Sequence, residues 1–202
     1  MSRFTAAAMA VVLGLLITAC GSAAGTPSAS AGAALNTPIP SSSLPAASGS
    51  TELEALIPDK VGTITLQKAS MSGEQFVGSG GASQEAQDFL QGLGVSADDV
   101  SVAVGFGTDL ASTGTVAILL FRAQGASSDR LVNLFKQAAD RDRDNPLDWQ
   151  SASVGGKQVE RAADPEQGTG SGSIYLYATG DLLAFVTAGN DDTAAEALSR
   201  LP

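Results

Sequence analysis

The chain has 202 residues, a formal net charge of −10 at pH 7, no histidine, and a single cysteine at position 20. The lack of histidine excludes the commonest general base, the commonest metal ligand and every Ser-His catalytic triad. A single cysteine cannot form a disulfide within the chain. An acidic chain is also poorly suited to nucleic acid, which proteins bind mainly through Lys and Arg.

The first 19 residues have the pattern of an export signal. Arg3 is the only charged residue before Glu52, and residues 4–19 form an uncharged run that is largely apolar. A helix of these 16 residues spans about 24 Å, which is less than the ~30 Å hydrocarbon core of a bilayer. A basic start, a short apolar core and small residues at the end predict a secretory signal over residues 1–19.

The apolar run ends in Ile17-Thr18-Ala19-Cys20, where an aliphatic residue and two small residues precede the cysteine. This tetrapeptide resembles the lipobox of bacterial lipoproteins. The resemblance implies cleavage before Cys20, a diacylglyceryl group on its thiol, and a lipid anchor that holds the exported chain at the cell membrane. Two or three acyl chains hold a protein stably, whereas one does so only marginally. The alternative is an ordinary cleaved signal in which Cys20 occurs by chance.

Residues 20–50 are predicted to be the lipidated cysteine followed by a disordered tether. The segment consists mainly of Ser, Ala, Gly, Pro and Thr, without charge or hydrophobic period. Such a composition cannot bury enough apolar surface to offset the entropy lost on ordering. We expect an acidic domain over residues 51–202, held close to the membrane surface by this tether and outside the cytoplasm.

Strand patterns dominate the predicted domain. Over residues 61–68 and 100–106, apolar side chains alternate with polar or smaller ones, which is typical of strands. Residues 116–121 form a continuous apolar run that is typical of a central strand. The dipeptides Gly155-Gly156 and Gly180-Asp181 predict hairpin turns. We therefore expect an α+β fold with a single, mostly antiparallel sheet of six to eight strands.

About three helices are predicted between these strands. They begin near Ser83, at Ser127 or Ser128, and at Asn190, all of which are residue types favoured at a helix N-cap. Apolar residues recur at helical spacing in each of the three segments. We expect these helices to pack on one face of the sheet.

The last two predicted helices also suggest a repeat. Each follows a pair of strands, and their inner apolar positions align without gaps between residues 100–140 and residues 173–202. The hypothesis is an internal duplication of a ββα unit. The alternative is that unrelated amphipathic ββα units have similar patterns.

One candidate metal site lies after the second helix. Asp140, Asp142 and Asp144 occupy every second position, which resembles the start of a calcium loop. However, Asn145 and Ser151 stand where such a loop needs Gly and Glu, and two arginines between the acids offset their charge. A solvated helix end with local ion pairs is therefore the preferred interpretation, and no metal or other cofactor is expected.

Three aromatic residues are the candidate ligand-binding residues. Tyr175 and Tyr177 share one side of a predicted strand, with Ile174 and Leu176 on the other side. One hypothesis is that these tyrosines, together with Trp149, line a sugar- or peptide-binding face. The preferred interpretation is an ordinary strand with one core face and one partly exposed face that carries the tyrosines.

No catalytic residue is predicted. The sequence has no nucleophile elbow, phosphate loop or dinucleotide fingerprint, and no carboxylate pair stands out among its 21 acidic residues. We expect a membrane-anchored, extracytoplasmic lipoprotein that binds a protein or small molecule in the cell envelope and is not an enzyme. The alternatives are a carboxylate-based envelope enzyme and an accessory or sensory subunit of a membrane complex.

Overall fold

Seven antiparallel strands form the main sheet of the protein. The computed structural model describes residues 51–78, 83–109, 114–141, 143–164 and 172–202. The predicted signal sequence, Cys20 and the tether lie outside these residues, and so does Asp142.

The described residues form nine strands and five α-helices. The strands are β1 (Lys60–Val61), β2 (Ile64–Thr65), β3 (Gln67–Ser72), β4 (Val100–Asp109), β5 (Gly114–Ala123), β6 (Gln150–Val154), β7 (Lys157–Asp164), β8 (Gly172–Thr179) and β9 (Leu182–Ala188). The helices are α1 (Thr51–Ala55), α2 (Gly73–Gly78), α3 (Ser83–Leu93), α4 (Ser128–Asp140) and α5 (Asp191–Ser199). The fold is therefore α+β, as predicted.

The main sheet consists of two meanders that meet at its centre. Its strand order is β3-β4-β5-β9-β8-β7-β6, and β1 pairs with β2 in a separate two-stranded sheet. The central strands β5 and β9 are antiparallel, with Leu119 opposite Phe185 and Arg122 opposite Leu182. Every neighbouring pair is antiparallel. The prediction of one antiparallel sheet of six to eight strands is confirmed.

The helices cover both faces of the sheet, not one face as the sequence analysis predicted. Ile118 of β5 packs with Leu53 of α1 and Leu198 of α5, on the side that we call face A. Phe121 of the same strand packs with Leu131 of α4 on the opposite side, face B. Successive side chains of a strand point to opposite faces, so a central strand that is apolar throughout needs cover on both sides.

The positions of α4 and α5 disagree with an internal duplication. The helix that follows β4 and β5 lies on face B, whereas the helix that follows β8 and β9 lies on face A. A rotation that brings β4 and β5 onto β8 and β9 has its axis perpendicular to the sheet, and it leaves every helix on its original face. The two ββα units therefore have opposite hands and do not superpose.

Residues 61–68, predicted as one strand, contribute to three strands. Gly62 adopts φ 59°, in the left-handed region that favours glycine, and reverses the chain so that Val61 pairs with Ile64. Leu66 is buried on face A, and Gln67 begins the edge strand β3. Paired residues of a hairpin share one face, so Val61 is buried together with Ile64 and Leu66, whereas a straight strand would place Val61 on the opposite side.

The predicted helix boundaries follow capping signals. The side chain of Asn190 accepts a hydrogen bond from the backbone N–H of Thr193 at 2.8 Å, which caps α5 as predicted. Gly94 follows α3 with φ 75°, and its N–H donates to the carbonyl of Leu90 at 2.9 Å. Within the described ranges, no helix has the length and apolar character to cross a membrane.

Candidate functional site

Two surface depressions of the described residues are candidate binding sites. One, of about 560 Å³, lies beside α3 and the turn that precedes β4, and its lining includes Val77, Leu90 and Val95. The other, of about 500 Å³, lies on face B between α4 and the strands β6, β7 and β8. The second depression has charged and amide side chains on two different elements, so it offers more specific chemistry.

We call the second depression the α4 groove. Its helical wall comes from positions of α4 that flank the buried stripe of the helix: Ser128, Asp129, Val132, Asn133 and Lys136. Its strand side comes from β6, β7 and β8: Ser151, Gln158, Val159, Glu160, Leu176 and Ala178. Gln158 and Glu160 are two positions apart on β7, so their side chains share face B. The groove forms because β6 and β7 extend past the helix that covers the centre of the sheet.

An ion pair joins the two sides of the α4 groove. The ammonium Nζ of Lys136 lies 2.7 Å from Oε2 of Glu160, and both side chains are about one quarter exposed (26% and 25%). The hydroxyl of Ser151 donates to the other oxygen, Oε1 of Glu160, at 2.5 Å. The pair links α4 to β7 and leaves the middle of the groove close to neutral.

The electrostatics of Glu160 do not favour acid–base catalysis. Hydrogen bonds from Lys136 and then from Ser151 hold the pKa of this carboxyl below its usual value, against the smaller opposing effect of burial. A carboxylate with a lowered pKa is a weak base, so it does not withdraw the proton of Ser151 to create a nucleophile. The arrangement suits binding and positioning better than proton transfer.

Trp149, a predicted ligand-binding residue, lies beside this ion pair on face B. The ammonium of Lys136 lies 5.6 Å from the centroid of the Trp149 ring, within the range of a cation–π interaction. The ring packs with Ile174 and Leu147 in a small buried cluster. Its Nε1 is buried and has no hydrogen-bond partner among the described residues.

The predicted residues Tyr175 and Tyr177 lie on face A, so the structure does not bring them together with Trp149. Tyr175 is fully buried, and its hydroxyl donates to Oδ1 of Asp191 at 2.6 Å. Tyr177 is partly buried, with the ammonium of Lys157 4.8 Å from its ring centroid. The alternation of the tyrosines with their aliphatic neighbours is confirmed, but both rings already contact groups of the protein itself.

Tyr175 belongs to a polar cluster at the start of α5. The guanidinium of Arg161 contacts the same Oδ1 of Asp191 at 2.9 Å and also donates to Ser173 at 3.3 Å. Burial raises the pKa of the Tyr175 hydroxyl, and its hydrogen bond to Asp191 adds to this effect. The cluster ties β7 and β8 to the N-terminus of α5, where a carboxylate also interacts favourably with the helix dipole.

Replacing the buried hydroxyl should therefore reduce stability. We expect Tyr175→Phe to lower the free energy of unfolding by about 1–2 kcal/mol, because Asp191 loses a charge-assisted hydrogen bond. Tyr177→Phe is the matched control, since its hydroxyl lies at 3.5 Å from Lys157 and should contribute little. Urea denaturation of both variants measures the difference, and equal losses would contradict the role given to the cluster.

Among the candidate calcium residues, Asp140 has a structural role. Oδ1 of Asp140 accepts a hydrogen bond from the backbone N–H of Leu147 at 2.9 Å, which closes the loop after α4. Asp144 is exposed, and Asp142 lies outside the described residues. Within the part of the chain that the structure describes, no three His, Cys, Asp or Glu side chains are grouped so that they could hold a metal ion.

The groove residues Asn133, Lys136, Gln158 and Glu160 are not among the site residues predicted from the sequence. Two signals were present, namely polar positions beside the inner stripe of α4 and two polar side chains on the same face of β7. Neither signal shows that helix and strand meet, because the pairing depends on tertiary packing. A comparison of the chain with protein-family models, with curated proteins and with solved structures found no match.

Proposed function

We propose that this chain is a lipid-anchored extracytoplasmic protein whose domain binds a partner in the cell envelope without catalysing a reaction. The observation that carries the proposal is the tetrapeptide Ile17-Thr18-Ala19-Cys20, placed directly after an uncharged apolar run. This run is too short to span a bilayer as a helix, so a lipid on Cys20 supplies the lasting membrane attachment.

Three carboxylates that already have partners within the protein support a binding function over an enzymatic one. Glu160 is engaged by a lysine and a serine, Asp191 by Arg161 and Tyr175, and Asp140 by a backbone N–H. Carboxylates held in this way stabilise the fold. The excess of negative charge also repels anionic lipid head groups, which favours a partner away from the membrane surface.

Lipidation of Cys20 is the direct test of this proposal. In a bacterial host fed an alkyne fatty acid, we expect the wild-type chain to incorporate the label. Mass spectrometry should then find a diacylglyceryl N-terminal peptide that begins at Cys20. Cys20→Ala removes the thiol that the lipid needs, so this variant should remain unlabelled and keep residues 1–19.

Thr18→Ala is the control for the labelling experiment. It changes the same tetrapeptide but keeps an aliphatic residue and two small residues before the cysteine, so labelling should equal that of the wild type. A mature, membrane-free chain with an unmodified Cys20 thiol would overturn the proposal.

A further inference from the structure

We infer that the α4 groove binds an extended, basic peptide segment of a partner protein. The inference rests on the proposed non-catalytic binding function and specifies its ligand. The groove is a shallow, solvent-open depression of about 500 Å³ on face B, which suits an extended segment better than an enclosed small molecule.

Two carboxamides stand on the two sides of the groove. Asn133 projects from α4 and Gln158 from β7, and both residues are exposed. A carboxamide has two N–H donors and a carbonyl acceptor, so it can pair with both the carbonyl and the N–H of a peptide backbone. Amides that approach from a helix and from a strand would therefore hold an extended main chain between them.

Aliphatic side chains complete the groove. Val132, Leu176 and Ala178 are among its lining residues. Leu176 is buried in the core, so Val132 and Ala178, which are partly exposed, offer the surface on which the apolar part of a peptide side chain can be buried. No aromatic side chain is among the described residues that line the groove, and the nearby Trp149 ring already contacts Lys136. A sugar ring would therefore find no aromatic surface on which to stack, so a peptide is favoured over a saccharide.

The charge of the groove favours a basic ligand. Lys136 is neutralised by Glu160, whereas Asp129, which lines the groove from the first turn of α4, is exposed. The chain as a whole carries a net charge of −10. A cationic segment is attracted by this field and gains a direct partner in the carboxylate of Asp129, whereas an acidic segment is repelled.

Selection from a peptide library tests the inference. The full chain, held in detergent micelles, is used to select from a phage-displayed library of random 12-residue peptides. The dissociation constants of the selected peptides are then measured by fluorescence polarisation. We expect sequences enriched in Lys and Arg, whose affinity falls at least tenfold when Asn133→Ala and Gln158→Ala are combined. Asp129→Lys removes the direct carboxylate partner and should weaken the preference for basic sequences.

Gln137→Ala supplies the matched control, because Gln137 is an exposed amide of the same helix that does not line the groove. Its affinity should stay within about twofold of the wild type. All substituted side chains are exposed, and equal thermal unfolding midpoints would confirm that the variants are folded.

Three outcomes would overturn the inference: a library without a binder, binders that are indifferent to the groove variants, and binding of a chito-oligosaccharide array that these variants abolish. A chain that carries lipid on Cys20 but selects no groove peptide refutes the peptide ligand and leaves the anchor proposal intact. A chain that binds such peptides but has an unmodified Cys20 refutes the anchor and leaves the groove assignment.

Discussion

Gly155→Ala is expected to lower the free energy of unfolding by about 3 kcal/mol or more. Gly155 adopts φ 60° in the turn between β6 and β7, a conformation that costs an alanine about 1–2 kcal/mol. A methyl group there would also collide with the backbone carbonyl of Ala195, and it would lie 3.0 Å from the backbone nitrogen of Ser199. Both atoms belong to the backbone of α5, so neither can move aside without shifting the helix.

The neighbouring glycine separates these two effects. Gly156 adopts φ 78° in the same turn, but a methyl group on it would meet nothing within 4 Å. We expect Gly156→Ala to cost about 1 kcal/mol, from backbone strain alone. Urea denaturation of the two variants should therefore differ by about 2 kcal/mol or more. Equal losses would show that the turn does not press against α5.

Phe121→Ala should be the most damaging core substitution on face B. Phe121 is 1% exposed, and its ring makes edge-to-face contacts with Phe76 at 6.0 Å, Phe89 at 5.5 Å and Phe135 at 5.5 Å between centroids. Truncation of a buried phenylalanine typically costs about 3–5 kcal/mol, through lost burial and the cavity that remains. These rings join α2, α3 and α4 to the sheet, so removal of the Phe121 ring should weaken the packing of all three helices at once.

Phe106→Ala is the control for this prediction. Phe106 lies on the neighbouring strand β4 but is 42% exposed, so its removal should cost less than about 1 kcal/mol. The midpoint and slope of denaturant unfolding measure both variants. A Phe121→Ala variant as stable as Phe106→Ala would contradict the packing assigned to face B.

Local signals predicted most of the strands and the three longer helices. Glycine at 155, 156 and 180 takes positive φ where hairpin turns were expected, and Asn190 caps a helix as its side chain suggested. These features depend on a few adjacent residues, so they are readable in a sequence. Helix placement is different, because an apolar stripe shows that a helix packs against something but not against which face.

The run over residues 116–121 did contain information on helix placement. An apolar central strand implies cover on both faces, which disagrees with helices on a single face. The α4 groove could not be predicted from the sequence, for a different reason. The pairing of Lys136 with Glu160 joins residues 24 positions apart, and no local pattern specifies which lysine meets which carboxylate.

The contact between Lys136 and Trp149 gives the protein an intrinsic optical reporter. Trp149 is the single tryptophan of the chain, and the ammonium over its ring belongs to a side chain that also lines the α4 groove. A cationic ligand in the groove that displaces the Lys136 ammonium changes the electric field at the indole, and indole emission responds to such a field. Occupancy of the groove can therefore be followed by the native fluorescence of the protein, without a label.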